Sequence, residues 1–242
     1  MLINQTNNPV FAFKCFLTGL KLITHKQLRG FLVIPIVINI ILYSSAFVLG
    51  YHYINQLIQR FIPDWLMWLD WLLWPLFFLG FMVVGFFSFT LLANLFAAPF
   101  YGCLAAKTLL VMGEESGQIR VEPPLVKTIL AECKRIIYLV KLALPLLLLF
   151  LIPGINLLAP VLWLVFGAWA IALEYFAYPL ENAGLLFVEQ KSMIKTMRLG
   201  ALSFGGLAMA GLSLPVLNLV IAPAAVIGAT LYTARIDHID NG

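Results

Sequence analysis

Long uncharged stretches dominate the pattern of polar and apolar positions along the chain. Four stretches contain no Asp, Glu, Lys or Arg, and they cover residues 30–59, 71–106, 142–173 and 199–234. Within each of them apolar residues follow one another without the alternation that barrel strands require. A helix that crosses a bilayer needs roughly 20 residues of this kind. The first two stretches are long enough, and we predict one span over 31–58 and another over 71–96.

The last two stretches are interrupted near their middles by proline, glycine and asparagine. The interrupting residues are Pro153, Gly154, Asn156 and Pro160 in one stretch, and Pro215, Asn218 and Pro223 in the other. Proline removes an amide donor and clashes with the preceding turn, so each stretch is expected to break into two arms. The arms 142–152 and 199–213 have only 11 and 15 residues. We therefore predict two re-entrant helical hairpins, over 142–178 and 199–234, that penetrate the bilayer partly.

A short motif of asparagine, apolar or small residues and proline occurs three times. It runs from Asn94 to Pro99, from Asn156 to Pro160 and from Asn218 to Pro223. The repetition predicts three similar helix breaks. Breaks at comparable positions are typical of transport sites, where helix ends and unwound backbone hold ions, but they also serve as packing and turn devices. Both interpretations of these residues stay open.

The distribution of basic residues predicts the orientation. Lys14, Lys21, Lys26 and Arg29 precede the first span without an acid, whereas the connection 60–70 has one basic residue and two acids. Segments 107–141 and 181–198 contain six and three basic residues. Since basic residues favour the cytoplasmic side, both termini and the segments 97–141 and 179–198 are expected there, with Glu132, Lys134 and Arg135 on a solvated helical face. An aromatic belt is expected at the outer boundary, formed by Trp65, Trp68, Trp71 and Trp74.

Composition supports an all-α integral membrane protein with two long transmembrane helices and two partly penetrating hairpins. The chain is 62% hydrophobic and 11% charged, whereas charged residues make up about a quarter of soluble domains. The three cysteines show no CxxC or Cys/His spacing, and no hydrolase, metalloprotease, P-loop or dinucleotide motif occurs. We therefore expect no catalytic residue, no metal, no cofactor and no nucleic-acid partner.

The segment 24–30 is the strongest candidate for chemistry. Thr24 is positioned as an N-cap for the first long helix, and free amides at a helix start, together with the helix dipole, attract anions. Lys26 and Arg29 add positive charge, and arginine presents a fork that matches two oxyanion oxygens. The alternative is that both cations only anchor the chain at the cytoplasmic membrane edge.

An ordered series of motifs along nearly the whole chain resembles the CysZ family of bacterial sulfate transporters. The series consists of Leu28-Arg29-Gly30-Phe31 with Pro35 and Asn39, Pro63-Asp64-Trp65-Leu66 with Leu73-Trp74-Pro75, Asn94 to Pro99-Phe100 and Gly102, Ile152-Pro153-Gly154-Ile155, Ala159-Pro160-Val161-Leu162-Trp163, Ala168-Trp169, Tyr178-Pro179 with Asn182, and Pro215-Val216-Leu217-Asn218 to Pro223. Their order and spacing carry the resemblance.

The resemblance implies sulfate uptake across the bacterial inner membrane for cysteine biosynthesis, by a multi-pass protein that forms homo-oligomers. Related oxyanions such as sulfite and thiosulfate are further candidate substrates. It also implies a sulfate site at Gln27-Leu28-Arg29, beside Lys26 and Gly30, where the family has glycine at Gln27, proline at Lys26 and often a second arginine at Gly30. The family is described as proton-dependent. The competing hypothesis is a structural membrane protein that shapes the bilayer or scaffolds partner subunits without transport.

Overall fold

The structure, a computed structural model, describes residues 7–61, 70–113 and 125–240, and all regular elements in these ranges are helical. This confirms the predicted all-α class. The helices are α1 (Pro9–Leu22), α2 (Gly30–Phe61), α3 (Asp70–Val111), α4 (Leu125–Leu149), α5 (Ala159–Asn182), α6 (Phe187–Thr196), α7 (Arg198–Leu212) and α8 (Pro215–Asp240), with a short 3-10 turn at Ile155–Leu157. Trp65 and Trp68 of the predicted belt, and Pro63 to Leu66 of the resemblance, lie outside the described residues.

Two compact units divide the chain. Unit one comprises Met1–Leu32 and Phe100–Gly242, and unit two comprises Val33–Pro99. Unit two holds most of α2 and α3, which have 32 and 42 residues and are therefore about 48 Å and about 63 Å long. Within unit two, Phe47 of α2 meets Phe78 of α3 edge-on, with 6.5 Å between the ring centroids. The two long helices therefore contact each other in this unit.

Both long helices extend past the predicted spans. The segment after residue 96 continues α3 up to Val111 and passes through Pro99 and Gly102, since most residues of 97–111 are apolar or small. The helix ends just before Gly113, whose φ of 76° only glycine adopts readily. Part of the predicted cytoplasmic segment 97–141 is thus a direct extension of the second long helix.

Helix α5 is the one helix, among residues whose placement the structure describes, that is long and apolar enough to cross a membrane. Its 24 residues extend over about 36 Å, compared with about 30 Å of bilayer hydrocarbon. The preceding arm is also longer than predicted, since 142–149 is only the end of the 25-residue helix α4. The uncharged arm 142–152 thus begins as the end of a longer helix, and its depth in the bilayer stays a prediction.

Of the three motif breaks, only the one at Asn156 to Pro160 interrupts a helix, although the stretch 199–234 also divides into two arms, just before Pro215 between α7 and α8. Pro153, Gly154 and Asn156 lie in the turn between α4 and α5, and Pro160 occupies the first turn of α5. By contrast, Asn94 and Pro99 lie inside α3, and Asn218 and Pro223 lie inside α8, which begins at Pro215. Residues 221–234 are all buried. Their packing offsets the hydrogen bond that Pro223 removes, so α8 continues through the proline.

The core of unit one is a set of small and aromatic residues where α1, α5, α7 and α8 meet. Phe204 of α7 lies between Phe16 of α1 and Phe176 of α5, at ring-centroid distances of 5.7 Å and 5.1 Å. Tyr232 of α8 meets Phe176 edge-on at 5.1 Å. Edge-on pairs of this kind stabilise a core beyond the burial of their area. This aromatic contact connects the N-terminal helix α1 to the end of the chain.

A polar network joins α4 to α5 and α6, where the sequence predicted a solvated face. The Arg135 guanidinium pairs with Glu132 and with Glu181 at 3.0 Å each, and it donates to Gln190 Oε1 at 3.0 Å. The Arg135 side chain is only 15% exposed. Burial raises the pKa of the Glu132 carboxyl, while Arg135 lowers it and Glu181 raises it further. The predicted solvated face is therefore wrong for Arg135, whereas Lys134 is exposed as predicted.

Replacing Gln190 with leucine is expected to lower the stability of unit one. Gln190 is 2% exposed, and its amide also donates to Leu185 O at 2.8 Å. The substitution leaves that carbonyl without this donor and removes one of the two hydrogen bonds of Arg135 Nη2, which keeps its bond to Glu181, a loss of about 1–3 kcal/mol. Thermal unfolding of the detergent-solubilised protein measures it. Ser192→Ala, at an exposed site on the same helix, should leave the unfolding temperature nearly unchanged. Equal unfolding midpoints for the two variants would contradict the prediction.

Candidate functional site

Two buried side chains hold the segment 23–29 that connects α1 to α2. Ile23 is 1% exposed and Leu28 is fully buried, and both belong to the core of unit one. Lys26, Gln27 and Arg29 are exposed. The segment is therefore fixed at both ends by packing while its polar side chains face outward. The Leu28 side chain faces the core and is not accessible to a ligand.

The hydrogen bonds of this segment differ from the predicted helix cap. The Thr24 hydroxyl donates to Lys21 O at 2.8 Å, so it closes the last turn of α1 and does not cap α2. The carbonyl of His25 accepts the amides of Leu28 and Arg29 at 2.9 Å each. The prediction of Thr24 as an N-cap is therefore wrong, and the Leu28 and Arg29 amides are not among the free amides expected at the helix start. The physical reason is that Thr24 follows α1 within two residues, where a hydroxyl reaches the preceding carbonyls more easily.

Two amides remain available for an anion. Within the described ranges, the backbone amides of Lys26 and Gly30 have no hydrogen-bond acceptor. The Gln27 amide makes only a long contact of 3.5 Å to His25 Nδ1. Gly30 is the first residue of α2, so its amide lies at the positive end of a 32-residue helix. Lys26 and Gly30 thus offer backbone donors despite their departure from the family pattern.

Lys107 is a third cation near this segment, and the sequence analysis missed it. Its ammonium lies over the Phe31 ring, 5.7 Å from the centroid, and Phe31 also packs on Phe100 at 4.9 Å. Lys107 lies far from Arg29 in sequence, and the only hint was that it ends the second uncharged stretch. Among the described residues, Lys26, Arg29 and Lys107 form no ion pair. The start of α2 is therefore positively charged, and no described acidic side chain pairs with these three cations.

The predicted break residues lie on other elements. Pro153, Asn156 and Pro160 surround the turn between α4 and α5, where the Asn156 amide donates to Ile152 O at 3.0 Å. Pro215, Asn218 and Pro223 lie in the first turns of α8, and the Asn218 amide donates to Leu214 O at 2.9 Å. Side-chain geometry at Asn94 and Pro99 lies outside what the structure describes. A pore role for these residues stays a prediction.

The family model for the sulfate transporter CysZ and the etoposide-induced protein 2.4 matches residues 15–223. The chain belongs to this family. The match includes Lys26 to Gly30, Lys107 and the prolines up to Pro223. It also confirms the family that the ordered sequence motifs indicated.

Curated relatives align with this chain over most of their length. The sulfate transporter CysZ of Pseudomonas aeruginosa is 36% identical over 228 residues, which cover 90% of this chain and 92% of the relative. Proteins of the same name from Pseudomonas fluorescens and Pseudomonas syringae pv. tomato are 36% and 37% identical, each over 90% of this chain. These relatives are named as transporters, which confirms the prediction that the protein is not an enzyme and agrees with a membrane location.

Proposed function

We propose that this CysZ-family protein carries sulfate across the bacterial inner membrane and so supplies sulfur for cysteine biosynthesis. The observation that carries the proposal is the 36% identity to a protein named sulfate transporter CysZ, over 90% of this chain. The apolar composition and the helix Ala159–Asn182, which is long enough to cross a bilayer, agree with a protein that works in a membrane.

Sulfate binds, in this proposal, at the start of α2. The guanidinium of Arg29 and the ammonium of Lys26 attract the dianion, and the amides of Lys26 and Gly30 donate to its oxygens. Gln27 can add its exposed side-chain amide, while Leu28 holds the backbone in place from the core. Lys107 raises the local positive potential from the inner end of α3. Because the side chains of Lys26, Gln27 and Arg29 are exposed, sulfite and thiosulfate are expected to compete.

The proposed topology follows from the uncharged stretches. Helices α2 and α3 cross the membrane as the two long spans, and the pairs α4–α5 and α7–α8 form the hairpins, with both termini in the cytoplasm. Two long spans cannot enclose a path for a hydrated dianion, so the working form is a homo-oligomer. The breaks at Asn156 and Pro160, together with the motif residues Asn94 and Asn218, are candidates for lining that path.

Uptake of labelled sulfate into proteoliposomes tests the function. The purified full-length chain, reconstituted into phospholipid vesicles, should accumulate sulfate faster than protein-free vesicles of the same lipid. An inward pH gradient should accelerate this uptake if protons are coupled, and equal rates with and without the gradient would refute the coupling alone. Uptake no faster than in empty vesicles would refute transport and favour the structural role in bilayer shaping or subunit scaffolding.

A further inference from the structure

Residues 125–141 of α4 carry an apolar stripe that no described part of the chain covers, and the stripe continues into the hairpin arm through Leu144, Leu147 and Leu148. Six of its side chains are between 53% and 68% exposed: Val126, Ile129, Leu130, Ile136, Ile137 and Val140. They recur at intervals of three and four residues, which places them on one face of the helix. Residues 125–141 belong to the segment that is predicted to be cytoplasmic, 97–141. In water, an exposed stripe of this length would be unfavourable and needs an occupant.

A row of lysines borders this stripe along one edge. Lys127, Lys134 and Lys141 recur every seven residues, and all three are exposed. Leu130 lies three residues after Lys127 and four before Lys134, and Ile137 has the same relation to Lys134 and Lys141. Residues at these spacings are neighbours on a helix surface. Each of these two apolar side chains is therefore flanked by two ammonium groups.

A fourth cation reaches the same edge from another helix. The ammonium of Lys191 in α6 lies 4.8 Å from the centroid of the Tyr138 ring, and Tyr138 lies between Lys134 and Lys141 on the helix surface. The single acid of α4, Glu132, is engaged by Arg135 at 3.0 Å. The lysine edge is therefore positive, and no carboxylate within α4 is left to offset it.

We propose that residues 125–141 of α4 lie in the cytoplasmic surface of the membrane, before the arm that enters the bilayer, and select anionic phospholipids. The apolar stripe enters the boundary of the acyl chains, and the ammonium groups of Lys127, Lys134 and Lys141 bind lipid phosphates. This is how amphipathic helices with one basic edge bind a bilayer. Each lysine near an anionic surface strengthens binding about fivefold. The proposal requires a membrane but does not depend on sulfate transport.

A second copy of the chain fits this face less well than anionic lipid does. A protein partner would have to place carboxylates opposite the lysine row. Among the glutamates of unit one whose side chains the structure describes, Glu132 and Glu181 are paired with Arg135, and Glu189 accepts the Leu186 amide at 2.7 Å. Glu174 of α5 is exposed, so one such carboxylate is set against three lysines. Charge complementarity therefore favours a surface of lipid phosphates.

A native cysteine makes the face directly measurable. Cys133 is exposed within the stripe, whereas Cys15 is buried and Cys103 is the other exposed thiol. The full-length chain with Cys103→Ser can be labelled at Cys133 with a small fluorophore such as bimane. In mixed micelles with an uncharged detergent, brominated phosphatidylglycerol should quench the label at a lower mole fraction than brominated phosphatidylcholine does.

Lysine variants then separate charge selection from apolar contact. Lys134→Gln should raise the half-quenching mole fraction of the phosphatidylglycerol about fivefold. The triple change of Lys127, Lys134 and Lys141 to glutamine should make the two lipid curves coincide, while the triple change to arginine should keep them apart. Lys21→Gln on α1 removes the same charge elsewhere and should leave the quenching unchanged.

The same titration has clear contrary outcomes. Equal quenching by both lipids in the chain with intact lysines would refute anion selection. Absence of quenching by either lipid would refute lipid contact. If quenching of the Cys133 label by brominated lipid decreases as the protein concentration rises, and light scattering detects dimers, the face binds a second copy of the chain. That result would overturn the proposal.

Discussion

Replacing Arg29 with alanine is expected to weaken sulfate binding by about 10- to 100-fold without unfolding the protein. Hydrogen bonds to charged groups contribute about 1.5–3 kcal/mol each, and about 1.4 kcal/mol corresponds to a factor of ten in affinity. Arginine also presents two parallel donors that alanine cannot replace. Because the Arg29 side chain is exposed, its removal leaves the core around Leu28 untouched. Equilibrium binding of labelled sulfate to the detergent-solubilised protein measures the loss.

Arg198→Ala is the matched control for this experiment. Arg198 is also exposed at the start of a helix, α7, and its guanidinium contacts only Lys195 O, at 3.2 Å, among the hydrogen bonds described. The Arg198→Ala substitution removes the same charge and the same side chain, but away from the proposed site. Sulfate affinity should therefore stay within about twofold of the unchanged chain, a difference of about 0.4 kcal/mol. If Arg29→Ala binds sulfate as well as Arg198→Ala does, Arg29 is a membrane anchor and the site lies elsewhere.

The amide pattern around Arg29 shows which part of the site could be read from the sequence. The types of residues and the helix start at Gly30 follow from local patterns, since positive charge before a long uncharged stretch is visible in the sequence alone. Which amides stay free does not follow from local patterns, because the Thr24 hydroxyl could accept an amide of the segment before α2 or donate to a carbonyl of α1. In the structure the Thr24 hydroxyl donates to Lys21 O, and the amides of Lys26 and Gly30 are the ones left without an acceptor in this segment.

Long-range packing explains the other differences between prediction and structure. Lys107 reaches the α2 start through the contacts of Phe31 and Phe100, which no local pattern encodes. Pro223 predicted a break, yet the buried surroundings of α8 keep the helix continuous. The turn at Pro153 and Gly154 was predicted correctly because Gly154 has a φ of 86°, a conformation that ends helices locally.

The packing of α5 against α7 should be far more sensitive to a methyl group at Gly205 than at the adjacent Gly206. A Cβ at Gly205 would collide with Ala168 O, and it would lie 2.9 Å from Ala172 N. Both are backbone atoms of α5, so neither can rotate away. Gly205→Ala therefore requires the two helices to separate, and overpacking of this kind costs about 1–3 kcal/mol. We expect a lower unfolding midpoint and less monodisperse protein in gel filtration.

Gly206→Ala isolates this contact from other effects of the same substitution. A Cβ at Gly206 would meet only Ala168 Cβ, at 3.8 Å, which is ordinary van der Waals contact. Both glycines lie inside α7, so alanine changes their intrinsic helix propensity by the same amount. The difference between the two midpoints then measures the close approach of α5 and α7. Close approach at small residues is the main source of helix association in lipid. If the two variants unfold at the same temperature, α7 does not pack on α5 through Gly205, and the aromatic core that includes Phe176 and Phe204 must be arranged differently.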